Sequence, residues 1–180
     1  ELLTRFDAGA DHSVLHGSAL FGYVSWSISL GRVPTPKEVL EAAMWGNARG
    51  RYLEAADVIR TSGYRGPELN LELARCEWGA GRLRQAREII DPLVSEVCLD
   101  PGTASGEFLS RLAAMELRLT DPRTPERLRL AWVRDRLESP TDLGRLDATR
   151  ARFELKGGRI AAACALAESV YLNHACSVRH

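Results

Sequence analysis

The chain has 180 residues, 45% apolar and 27% charged, a balance that fits one soluble globular domain able to bury a sizeable core. Lys plus Arg equals Asp plus Glu at 24 each, so no overall field draws the chain to nucleic acid or to an anionic membrane. The four cysteines (Cys76, Cys98, Cys164 and Cys176) form no C-x-x-C or zinc-ribbon spacing, which excludes those motifs and points to a reducing cytoplasm. The sequence opens at Glu1 without an initiator Met or a secretory signal, and it is expected to be a domain of something longer.

From Ser13 to Gly31 there is no Asp, Glu, Lys or Arg, and a separate first helix is expected over 12–30. Ser18, Gly22, Ser25 and Ser29 form a small-residue stripe, while Leu15, Ala19, Trp26 and Leu30 occupy much of the rest. The apolar content falls short of a membrane span, so the plain reading is a helix packed closely on several sides. The functional alternative is a helix lining a ligand groove. His12 and His16 are four apart beside Asp11, but they lack the Glu of the zinc-protease motif. They read as surface histidines, and the tail residues His174, Cys176 and His180 as frayed, so no metal is expected.

Four helix pairs then follow, over about 35–62, 66–98, 102–138 and 140–177. Thr35-Pro36-Lys37-Glu38 is a capping box with proline at the first helical position, and Gly66-Pro67-Glu68 starts another helix with proline placed alike. The second helices carry apolar stripes: Tyr52, Ala55, Val58 and Ile59, stopped by Gly63, and then Leu83, Ala86, Ile89, Ile90, Leu93, Val94 and Val97. Ile160, Ala163, Leu166, Ala167, Val170 and Tyr171 repeat the register in the last pair. The third pair is divergent. Phe108, Leu112, Met115 and Leu119 mark its first helix, Thr124-Pro125-Glu126 is expected to start its second over 124–138, and Thr120-Asp121-Pro122-Arg123 replaces the glycine turn. The expected fold is all-α, with about nine helices in a single domain over 1–180.

A four-point spacing recurs through these pairs. Ala43, Gly50, Tyr52 and Ala55 match Ala74, Gly81, Leu83 and Ala86, and both match Ala151, Gly158, Ile160 and Ala163. The glycines are 31 and then 77 apart, the second gap being about two periods. The glycines allow the turn, and the alanines stand where paired helices cross closely. This spacing resembles the tetratricopeptide repeat over roughly 35–177, with Pro67 at that repeat's closing proline. The early Trp and Leu-Gly positions of that repeat are not kept, and Asn70 and Asp147 stand where it expects apolar residues. The resemblance implies a right-handed superhelix of antiparallel helix pairs, an α-solenoid. The irregular, Arg-rich style is also similar to the sensor or coupling segments of large bacterial regulators, including LuxR-type ATPase regulators. No P-loop or helix-turn-helix signature accompanies it.

In such a stack the first helices line a concave binding surface. The positions expected to be exposed there are Asn47, Asn70, Glu77, Arg111, Arg118, Arg150 and Glu154. The stretch 111–152 holds ten arginines against seven acids, and Arg127, Arg129 and Trp132 form a basic cluster able to clamp a carboxylate or phosphate. The bland reading of that run is a solvated face laced with ion pairs. No nucleophile, base and orienting group occur in a recognisable local pattern, so no catalysis and no cofactor are expected. The expected function is a protein- or peptide-binding module of a larger cytoplasmic regulator of transcription. The alternatives are a domain sensing a small-molecule inducer and a structural spacer; this segment is expected to contact neither nucleic acid nor membrane.

Overall fold

The computed structural model describes residues 15–102 and 104–177, with side chains as far as Tyr171. Among these residues the chain is all-helical, with eight α-helices, two short 3-10 helices and no strand. The α-helices are α1 (Ser18–Ser29), α2 (Pro36–Ala48), α3 (Tyr52–Ser62), α4 (Pro67–Gly79), α5 (Leu83–Leu99), α6 (Gly106–Leu119), α7 (Pro140–Lys156) and α8 (Ile160–Ser177). The 3-10 helices are Pro125–Arg127 and Ala131–Arg136. The chain divides into two compact units on either side of the Arg65–Gly66 bond.

In the first unit α1, α2 and α3 pack on one another around Leu20, Phe21, Val24, Val39, Ala43, Ala55, Val58 and Ile59, all buried. The α2 start is the expected capping box. Thr35 Oγ1 accepts from the Glu38 N–H at 3.3 Å, and Thr35 N–H donates to Glu38 Oε2 at 2.7 Å. The small-residue stripe of α1 does not make a close helix contact: Ser18, Gly22 and Ser29 are exposed. Ser25 and Ser29 instead turn their hydroxyls onto the carbonyls of Phe21 and Trp26. Close packing occurs on α2, where a Cβ on Gly46 would meet Phe21 Cε2 at 2.7 Å and Ala55 Cβ at 3.1 Å. His12 lies outside the described residues. No helix among the described residues is long and apolar enough to cross a membrane.

In the second unit α4 packs on α5, α5 on α6, α6 on α7 and α7 on α8. One core of buried side chains runs through it, from Leu71 and Ala74 through Ile90, Val94, Leu112 and Met115 to Leu146 and Phe153. The α5 stripe is buried at Ala86, Ile90, Leu93, Val94 and Val97, half-buried at Ile89 and exposed at Leu83. The α8 stripe is covered less: Ala163 is buried, while Ile160 is 63% exposed and Tyr171 74%.

One turn recurs in both units and includes a residue type that the spacing alone did not mark. Gly50, Gly81 and Gly158 have φ of +76°, +78° and +77°, and each is followed by arginine. The N–H of Arg51, Arg82 and Arg159 bonds the carbonyl five residues back (Gly46, Glu77 and Glu154) at 2.8–2.9 Å. The glycine N–H bonds the carbonyl three back, completing a Schellman cap. Gly31-Arg32 closes α1 in the same way, with φ +70° at the glycine and Arg32 N–H on the Ser27 carbonyl at 2.9 Å. Only glycine adopts that φ without steric cost, which is why the spacing is anchored on it.

The segment 124–138, expected as an α-helix, is instead the two 3-10 helices with extended backbone at Leu128 and Leu137. The reason lies on α6. The buried carboxylate of Glu116 accepts the backbone N–H of Arg129 (3.0 Å) and of Leu130 (2.9 Å). Those donors would otherwise bond carbonyls four residues back in a helix. With them turned onto Glu116, Leu128, Leu130, Val133 and Leu137 reach the core from an irregular backbone.

Candidate functional site

Ion pairs inside the second unit explain most of its arginines. Six acids are buried there, and each has a guanidinium. Glu72 Oε2 takes Arg75 at 2.7 Å and Arg111 at 2.9 Å. Glu77 takes Arg82 at 2.7 Å, and Asp147 binds Arg134 through two hydrogen bonds of 2.7 and 3.0 Å. Glu116 takes Arg129, Asp142 takes Arg145 at 3.3 Å, and Glu154 takes Arg159 with Arg150 at 3.8 Å. A buried carboxylate needs such a partner, because an unpaired buried charge is strongly unfavourable. Donating these bonds to Asp147 holds the Arg134 pKa above its usual value, with desolvation opposing and the Asp147 charge reinforcing the rise.

The residues read from the sequence as a binding groove therefore have different fates. Glu77 and Glu154, expected to be exposed, are buried and paired, and Arg111 is pinned on Glu72. Arg150 is half-buried against Glu154. Asn47 is half-buried on α2 in the first unit, and Asn70 is half-buried on α4 in the second. In the basic cluster, Arg129 turns inward to Glu116 and to Asp91 at 2.6 Å, and Trp132 packs on the core beneath Arg136. Arg127 lies on a neighbouring cleft of about 240 Å³, where Asp91, Glu116 and Asp121 balance Arg87 and Arg129.

Arg118 differs from all of these. It stands in the last turn of α6, three residues after the buried Met115, and opens onto a cleft of about 220 Å³. Trp78 at the end of α4, Leu117, Thr120, Pro122 and four residues of α7 (Thr149, Arg152, Phe153 and Lys156) complete the lining. No acid is among them. The α7 residues stand at i, i+3, i+4 and i+7, the stripe that normally faces a core, and here it carries two cations. Among the described residues Arg118, Arg152 and Lys156 have no ion pair, in contrast to the arginines around them.

The cleft sets the state of Arg118. Its guanidinium lies 5.0 Å from the centre of the Trp78 ring, a cation–π contact. Arg118 is exposed to solvent as a whole residue, while its guanidinium is partly desolvated against the cleft wall. Desolvation, followed by the like charges of Arg75 and Arg152, pushes its pKa below the ordinary arginine value. Arginine nevertheless stays protonated at neutral pH. The two hydroxyls face inward as donors, Thr120 to the Glu116 carbonyl at 2.9 Å and Thr149 to the Arg145 carbonyl at 3.1 Å. The cations are thus the charged donors open to a guest. A third cleft, also about 220 Å³, has the opposite character, with Glu68, Glu96 and Asp100 over Leu93, Val97 and Phe108.

Sequence reasoning named Arg118 but missed Trp78, Arg152 and Lys156. The available signal was the α7 stripe, in which cations occupy positions of core spacing. Comparison with protein-family models, curated proteins and solved structures finds no match for this chain.

Proposed function

We propose that this chain is a non-enzymatic recognition module, a tetratricopeptide-like superhelix of antiparallel helix pairs within a larger cytoplasmic bacterial regulator of transcription. Its Arg118 cleft holds an acidic segment of a partner protein. The recurrent Gly-Arg Schellman turn supports the repeat reading, because one local device reverses the chain after α1, α2, α4 and α7. The carrying observation for function is the contrast in charge pairing: the six buried acids of this unit have arginines, whereas Arg118, Arg152 and Lys156 converge on a cleft lined by no acid. Clustered like charges are held at a cost that an anionic guest relieves.

Fluorescence anisotropy with an acidic peptide and its lysine-for-acid twin tests this. The acidic peptide is expected to bind, with affinity falling as salt rises, and Arg118→Ala is expected to weaken it about tenfold, the loss of one charge-assisted contact. Equal binding of the lysine twin would sink the proposal. A small-molecule inducer is the second reading, favoured by the apolar walls Trp78 and Phe153. The cleft is smaller than the roughly 300–1,000 Å³ of most such sites, which favours the peptide.

A further inference from the structure

The same cleft is specific about the kind of anion it fits. Resting on the recognition reading above, we propose that it takes the phosphate monoester of a phosphorylated side chain on the partner, with Arg118 as the bidentate clamp. The first argument is charge. Three cations face the cleft without an acid, and one carboxylate offsets only one of them. A phosphate monoester carries about −1.5 to −2 at neutral pH and presents three acceptor oxygens.

The second argument is donor geometry. The Arg118 guanidinium lies over the Trp78 ring, a contact that restrains the side chain, and with no ion pair of its own among the described residues the fork is left to bond an anion. Thr120 and Thr149 donate inward to backbone carbonyls, so the charged donors open to the guest are Arg118, Arg152 and Lys156. Those groups supply many N–H donors, more than a lone carboxylate saturates and suited to a tetrahedral oxyanion. The third argument is the wall. Leu117, Pro122 and Phe153 line the same space, with Leu117 and Phe153 at 7% and 4% exposure, and they present carbon to the linker between phosphate and backbone. The acidic cleft of this unit would repel such a ligand, and the cleft at Arg127 carries three acids beside its arginines.

The test uses the whole chain and one peptide in four forms: serine, glutamate, phosphoserine, and phosphoserine in a scrambled sequence. Free phosphoserine and a single-stranded oligonucleotide accompany them. The phosphoserine peptide is expected to bind at least about tenfold tighter than the glutamate form. Its affinity is expected to rise with pH through about 6, where the monoester loses its second proton. Arg118→Lys, which keeps the charge and removes the fork, is expected to lose most of the preference, and Arg152→Ala and Lys156→Ala part of it. Thermal melts of each variant separate lost folding from lost binding, and the two exposed α7 variants keep the proposal testable if the Arg118 variant unfolds.

Glutamate and phosphoserine peptides binding equally would overturn the phosphate proposal and leave the acidic-segment reading standing. No anionic peptide binding at all would overturn both. Free phosphoserine binding as tightly as the peptide would uphold the monoester and overturn a protein segment as its source. Tighter binding of the oligonucleotide, a phosphodiester, would overturn the monoester.

Discussion

Two glycines and one ion pair show how single residues hold this chain. Gly81 has φ +78° with open space around the position of a Cβ, so Gly81→Ala costs only backbone strain, about 1–2 kcal/mol. Gly46 is the opposite case: its backbone is helical and would favour alanine by about 1 kcal/mol. The space is absent, however, because the new methyl meets the buried Phe21 ring and Ala55, an overpacking cost of about 1–3 kcal/mol. Urea unfolding is expected to show both alanine variants destabilised, with Gly81→Asn recovering part of the loss and Gly46→Ser recovering none. Recovery at Gly46 would mean that Phe21 is freer than its burial implies. At Asp147, which is fully buried, Arg134→Ala strands a carboxylate whose remaining partner is the Ser169 hydroxyl at 3.4 Å. A loss of about 2–3 kcal/mol is expected, discounted because the arginine is partly exposed. The pair Arg134→Met with Asp147→Leu is expected to cost less than Arg134→Ala alone, and a larger loss in the double variant would count against the desolvation argument.

At the scale of elements, Glu116 decides what the chain from 124 to 138 becomes. Glu116→Ala removes the acceptor of two backbone N–H groups and a partner of Arg129, a loss of about 2–4 kcal/mol. Hydrogen exchange at the Arg129 and Leu130 amides is expected to accelerate before that of Leu112 or Met115; unchanged protection there would show that the carboxylate is not what holds the loop. This element also marks the limit of what the sequence discloses. The helices of α2 to α5 and their turns are readable because capping, periodicity and the glycine spacing are all local signals. The segment 124–138 carries a proline start and enough apolar residues for a helix, and its fate is set by an acid on another element. The small-residue stripe of α1 misled in the same manner: its spacing is helical, but which face is covered depends on α2 and α3.

The whole molecule is a set of charges arranged before any partner arrives. The arginine-rich composition gives no net charge, and eight of its arginines serve buried acids, so sequence alone ranked Arg111, Arg150 and Glu154 beside Arg118. Telling them apart requires knowing which acids face inward, which is tertiary information. The core through α4 to α7 lies wholly within residues 66–180 and contains nineteen buried hydrophobic residues. It also includes the paired acids from Glu72 to Glu154 and the three cations of the cleft. A fragment of 66–180 is long enough to bury such a core, whereas 1–65 is in the size range where a core alone is marginal. The fragment 66–180 is therefore expected to unfold cooperatively in urea and to bind the phosphoserine peptide within about threefold of the intact chain. A fragment that melts without cooperativity would show that residues before Gly66 complete its core. One that folds but fails to bind would place part of the recognition surface in the first unit.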